Sequence, residues 1–208
     1  MMSGNKGFIL KILGRVFTPG VIKRYDTVKG IIHNAAFSRT FKDWGEGSYI
    51  AYPINLLHGA EYISVGNRCT IGKYVQLTAW SRFKTQQFRP EIIIGDNTSI
   101  GDFSHITAIN SIRIGRNVLT GKNILITDNA HGESERNSID TPPKDRPLVS
   151  KGGVVIEDNV WIGEKVSIMP GVTIGYGSII GTGSVVTRDI PTYSVAVGNP
   201  AKVIKKLI

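Results

Sequence analysis

The chain has 208 residues, of which 41% are apolar, 20% charged and 8% aromatic, a balance that fits one ordinary folded domain and excludes a disordered or collagenous chain. Its single cysteine, Cys69, excludes an intrachain disulfide framework and a cysteine-based zinc cage. Net charge is +9, but the excess sits at the ends: residues 1–60 carry 8 basic and 3 acidic groups, 61–190 carry 14 and 13, and 191–208 carry 3 and none, so no basic stripe or motif supports a nucleic-acid partner.

Gly7 to Phe17 is apolar but interrupted by Lys11 and Arg15, well short of the roughly 20 residues a membrane span needs. Coiled as a helix, it would place Phe8, Ile9, Ile12, Leu13 and Val16 on one face and the two cations on the other. That face suits either a cover over an open end of the fold or an anionic membrane surface. Residues 1–60 are read together as a partly helical capping segment.

From Val65 onward a six-residue period sets the architecture. The leads are Val65, Ile71, Ile94, Ile100, Ile106, Ile114, Thr120, Ile126, Ile156, Ile162, Ile168, Ile174, Ile180 and Val186, all fourteen β-branched. The second position is glycine in nine units and the fourth is Asn, Gly or Asp in nine, residue types that tolerate positive φ. The fifth is small or aliphatic in all but Asn110. A short strand with an inward lead, a bend, and another small inward residue therefore repeat, and stacking such units buries a continuous row of Ile and Val. Two long loops, 80–91 and 131–153, and a two-residue slip between Ile106 and Ile114 interrupt the series, and loops on a stiff coil are where chemistry is expected. The repeat domain is placed at 61–190 and a short C-terminal cap at 191–208.

The run from Ile156 to Leu207, with its VWIG, PGVTIG and GNPAKVI segments, resembles the hexapeptide-repeat acyltransferases, in particular sugar O-acetyltransferases of the galactoside, maltose and surface-polysaccharide branches. The resemblance covers about residues 61–207. It implies a left-handed parallel β-helix of triangular section, an all-β fold that departs from the usual right-handed crossover. It also implies a homotrimer with acetyl-CoA and acceptor sites in the clefts between subunits, and a cytoplasmic location is expected.

Transfer of an acetyl group from a thioester to a hydroxyl needs a base, oxyanion donors and a dry site. Histidine suits the base near neutral pH, and the chain has four: His33, His58, His105 and His131. By resemblance His131, at the mouth of the second loop, is the catalytic base, acting on the acceptor hydroxyl directly with no acyl-enzyme. Asp128, Glu133 and Glu135 flank it as candidates to orient its ring. Asn110, His105 and Trp80 are candidate acceptor contacts, although Asn110 equally suits a turn at the slip. Glu164, Thr182, Thr187, Arg188, Lys202 and Lys205 match the family's cofactor positions, the last three placing positive charge near the nucleotide phosphates; a C-terminal helix would give its lysines a dipole-complementing role instead. Glu164 departs from the small serine commoner at that position. No metal is expected, since a zinc hydrase on this fold needs three converging histidines and the repeat holds two. The acceptor is expected to be a saccharide, in one reading lipid-linked with peripheral membrane association. N-acetylation of an amino sugar or antibiotic, and a non-catalytic scaffold, are the competing readings.

Overall fold

A computed structural model describes residues 13–16, 18–132 and 140–208. The apolar residues Phe8, Ile9 and Ile12 and the acidic Glu133 and Glu135 lie outside the described residues. Helix α1 (Pro19–Ser38) opens the main body, capped by Thr18, whose Oγ1 accepts from the Val21 N–H at 3.4 Å, with proline at the first helical position. No described helix is long and apolar enough to cross a membrane.

Six three-stranded coils follow. Coil one is β1 (Asp43–Trp44), β2 (Tyr49–Ile50) and β3 (Leu56–His58), and coil two is β4 (Ile63–Val65), β5 (Thr70–Ile71) and β6 (Gln76–Ala79). A hairpin, β7 (Arg82–Phe83) with β8 (Gln86–Gln87), then leaves the coil. Coil three is β9 (Glu91–Ile94), β10 (Ser99–Ile100) and β11 (His105–Ala108); coil four is β12 (Ser111–Ile114), β13 (Leu119–Thr120) and β14 (Leu125–Thr127). The second loop pairs β15 (Ala130–His131) with β16 (Leu148–Val149). Coil five is β17 (Val154–Ile156), β18 (Trp161–Ile162) and β19 (Ser167–Ile168), and coil six is β20 (Thr173–Ile174), β21 (Ile179–Ile180) and β22 (Val185–Val186). Strands β23 (Ser194–Val197) and β24 (Lys202–Lys206) close the end.

Like strands of successive coils pair in parallel, giving three flat faces. Face A is β1-β4-β9-β12-β17-β20, face B is β2-β5-β10-β13-β18-β21-β23-β24, and face C is β3-β6-β11-β14-β19-β22. The result is a left-handed parallel β-helix. The thirteen Ile and Val leads are buried in its core, each worth about 1.5–3 kcal/mol before entropy, and Thr120 is buried too, its Oγ1 accepting from the Gly101 N–H at 2.9 Å. Leu77, which a pattern of β-branched leads passes over, fills the same position on face C and is fully buried. Asn97, Asn117, Asn123 and Asn159 take φ of 57–59°, as the bend position requires. Second-position glycines sit where neighbouring coils nearly touch: a Cβ on Gly163 would lie 2.6 Å from the Thr182 amide nitrogen of the next coil.

Two expectations need revising. The coils start at Asp43 rather than near 61, because Trp44, Ile50 and Leu57 stack on Val65, Ile71 and Leu77; Ile50 and Leu57 are seven residues apart, so the six-residue period misses them. The C-terminal tail is no helix. Lys202–Lys206 is a strand running antiparallel to β23, which covers the last edge of face B and removes any helix-dipole reason for its lysines.

Candidate active site

All three interruptions of the repeat leave the prism along one edge, where face C turns into face A: Trp80 follows β6, Ile109 and Asn110 follow β11, and the second loop follows β14. The two long loops therefore fold against each other. Gln86 of the hairpin donates through Nε2 to the Leu148 carbonyl at 3.0 Å and accepts from the Leu148 N–H through Oε1 at 2.8 Å. Lys84 pairs with Asp145 at 2.7 Å near the rim. Leu148 in turn faces His131 across the β15–β16 pair, and the Phe83 ring stands edge-on to the His131 imidazole with centroids 5.5 Å apart.

Between these loops and the outer side of face C lies a cavity of about 300 Å³, lined by Gln76, Thr78, Trp80, Phe83, His105 and His131 among others. Its floor follows from strand alternation: β6 turns Leu77 and Ala79 inward, and β11 turns Ile106 and Ala108 inward, leaving Gln76, Thr78, His105 and Thr107 facing outward. His105 is half-buried, with Nε2 3.5 Å from Thr78 Oγ1, and burial pushes its imidazole below the ordinary histidine range. His131 is exposed at the cavity mouth. Trp80 stacks at 4.2 Å on His58 of coil one, so it forms a wall braced from beneath.

The structure thus gathers His131, His105 and Trp80 in one cavity. Asn110 is not among its lining residues; its side chain is exposed, and its N–H donates to Asp128 Oδ2 at 2.8 Å. Asp128 does not stand in solvent beside His131. It is fully buried, its other oxygen accepts from the Ile109 N–H at 2.9 Å, and Asn129 Nδ2 donates to the same oxygen at 3.1 Å. Its carboxylate therefore ties coil four to the slip in coil three, setting where the chain departs toward His131. Phe83, Thr78 and Gln86 are site residues that the repeat pattern gave no reason to select, because their partners are remote in sequence. Among the described residues, no three His, Cys, Asp or Glu side chains converge as a metal site would require.

The cofactor candidates lie on the last coils. Glu164 and Thr182 follow β18 and β21 and so stack at the edge between faces B and C, where the Gly183 N–H donates to the Glu164 carbonyl at 2.8 Å. Thr187 and Arg188 follow β22 at the opposite edge of face C, and Lys202 and Lys205 lie on β24. All six are exposed. Both edge pairs border face C, whose outward column runs Gln76, His105, Leu125, Ser167, Val185 from coil two to coil six. One continuous surface strip joins the cavity to the basic end of the prism.

Residues 153–188 match the family model described as bacterial transferase hexapeptide (six repeats). The chain is 37% identical over 147 residues to WbbJ of Escherichia coli K12, which bears the provisional name of a lipopolysaccharide biosynthesis O-acetyl transferase; the match spans 69% of this chain and 71% of WbbJ. The chain belongs to the hexapeptide-repeat acyltransferases. A provisionally named acetyltransferase of Saccharomyces cerevisiae is 44% identical over 113 residues, 54% of this chain and 58% of the relative. Among solved structures, a hexapeptide-repeat acetyltransferase of Vibrio cholerae complexed with acetyl coenzyme A superposes with a TM-score of 0.56 at 26% identity, covering 84% of this chain and 75% of that one. AntD, an N-acyltransferase of Bacillus cereus, shares the fold, with a TM-score of 0.68 at 18% identity over 84% of this chain and 87% of its own.

Proposed function

We propose that this acyltransferase moves the acetyl group of acetyl-CoA onto a hydroxyl of a saccharide, with His131 as general base. The observation that carries the reading is the strip on face C, which places one imidazole at the mouth of an aromatic-walled cavity and two pairs of cofactor candidates along the edges of the same face. WbbJ's name supports a saccharide oxygen as acceptor, and the Vibrio complex supports acetyl-CoA as donor.

In the proposed step His131 takes the proton of the acceptor hydroxyl as the oxygen attacks the acetyl carbonyl carbon. The carbon–sulfur bond then breaks, and the imidazolium returns its proton to the departing thiolate, leaving the ester and free CoA. Neutral His105 and Trp80 hold the acceptor, the latter by stacking on a sugar ring. Glu164 and Thr182 flank the pantetheine arm, while Arg188, Lys202 and Lys205, with Thr187 beside them, meet the phosphates. Asn110 keeps only an outer place, reaching an acceptor longer than one ring. Direct transfer is favoured because Cys69 is unsuited to act as a nucleophile. It is buried inside the coil, its Sγ donates to the Gly95 carbonyl at 3.1 Å, and burial pushes the thiol pKa up. The working unit in this proposal is a cytoplasmic homotrimer, with the strip on face C completed by a neighbouring subunit.

The test is His131→Ala assayed by calorimetry with CoA and by acetyl transfer to a panel of hydroxyl and amino acceptors. CoA binding is expected to stay within about twofold while transfer falls by roughly 10²–10⁴. Unchanged turnover would refute the assignment, and acetylation confined to amines would move the chemistry to nitrogen.

A further inference from the structure

Helix α1 is mounted inside out. At about 100° per residue, Val21, Tyr25, Val28 and Ile32 fall within an arc of roughly 60°. This is the spacing by which a surface helix ordinarily buries its apolar side. Here that side faces solvent, with Val21 44%, Tyr25 59%, Val28 54% and Ile32 64% exposed, and Ile31 beside them at 62%. The opposite side holds the helix to coil one. Asn34 Oδ1 accepts from the Ile50 N–H at 2.9 Å, buried Gly30 lies against the Tyr49 hydroxyl, and His33 stacks on Phe37 at 4.2 Å and meets the Tyr52 ring edge-on at 5.3 Å. These anchors fix the rotation of the helix.

The charges on α1 are sorted in the same way. Arg24 and Lys29 border the exposed stripe on either side, and Lys29 Nζ sits 4.3 Å over the Tyr25 ring. The helix's only carboxylate, Asp26, instead lines the cleft between α1 and coil one, together with Tyr49, Tyr52 and Lys73. Before the helix, Leu13 and Val16 are likewise exposed around Arg15. An apolar stripe that contains a tyrosine, is edged by cations and has no acid on its outer side is complementary to an anionic lipid surface. A second copy of this chain is a poorer match, since it would set cation against cation in a protein of net charge +9.

We infer that the outer face of α1 docks the enzyme on anionic membrane lipid, laying the N-terminal end of the prism on the bilayer surface. This goes beyond the acetyl-transfer reading and does not depend on it.

The experiment is flotation of the full chain with vesicles of phosphatidylcholine alone or with 30% phosphatidylglycerol, at low and high salt. Binding is expected to the anionic vesicles only and to weaken with salt. The pair Val28→Ser and Ile32→Ser should lower the partition at least tenfold, and Arg24→Gln and Lys29→Gln about fivefold each. Light scattering should give every variant the mass of the parent, and turnover with acetyl-CoA and a water-soluble acceptor should be unchanged. Absence of binding to anionic vesicles overturns the inference. So does a smaller particle for the serine pair, because the stripe would then be a contact between subunits.

Discussion

Replacing Gln86 by alanine separates the two loops without touching the coils or the imidazole. The change removes both hydrogen bonds to Leu148 and leaves the N–H and carbonyl of a buried residue unpartnered. At about 1 kcal/mol for each bond, the docked arrangement loses about 2 kcal/mol, and the nearby Lys84–Asp145 pair, nearly half exposed on both sides, restores little of it. Two kilocalories shift the docked-to-open ratio by about 30-fold. Because Leu148 faces His131 across the hairpin, kcat should fall by up to that factor, while the KM for acetyl-CoA stays within about twofold, since its candidate contacts lie from coil five to the C-terminal strand. The assay pairs steady-state release of CoA with amide exchange at Leu148. Faster exchange at Leu148 with kcat unchanged would refute the claim that the first loop holds His131 in a place that matters for turnover. Lys84→Ala serves as the control and should cost less than threefold.

Further expectations follow from the coil itself. Gly163→Ala should raise the KM for acetyl-CoA and lower the melting temperature, because its methyl would press on the Thr182 backbone at 2.6 Å; a variant with unchanged KM would take Thr182 out of the donor site. The His105 ring, lowered by burial, should titrate in NMR below the free value of about 6.5, and a midpoint at or above that would contradict its half-buried setting. A histidine so shifted contributes stability that is present above that free value and lost as pH falls beneath it. Asp158 is held below the usual carboxylate range by the Arg116 N–H at 2.7 Å and by the Arg116 guanidinium at 2.7 Å. Its stabilising effect should be full above about pH 4 and fade as acid titrates the folded carboxylate. Thermal melts of the parent and Asp158→Asn should therefore converge as pH drops toward 3, and a constant gap would mean that charge plays no part.

The core was readable from the sequence because every lead points inward at a fixed spacing, and a slip of one residue would expose the whole row. Coil one escaped because Leu57 is a residue out of step with Ile50, although it stacks on Leu77 all the same. The site was legible only in part. His131 announced itself by opening a loop, and Trp80 and His105 shared its neighbourhood, but the clasp made by Gln86 joins residues 62 positions apart, which no local pattern encodes. Asp128 reads as one more acid near a loop, and only burial with three N–H donors around its carboxylate reveals it as a brace. The tail misled in the other direction. Lys202 to Lys206 look suited to a helix end, yet the free edge of β23 offers unpaired backbone groups that a strand satisfies better.

The confinement of both long loops and the two-residue slip to a single corner of the prism divides labour within the molecule. Extra residues can be added or lost there without breaking one rung of the three ladders, since the coils above and below still stack. That corner is thereby free to drift in length and composition, while ladders such as Asn97–Asn117–Asn159, at the corner between faces A and B, keep the spacing of the coils fixed.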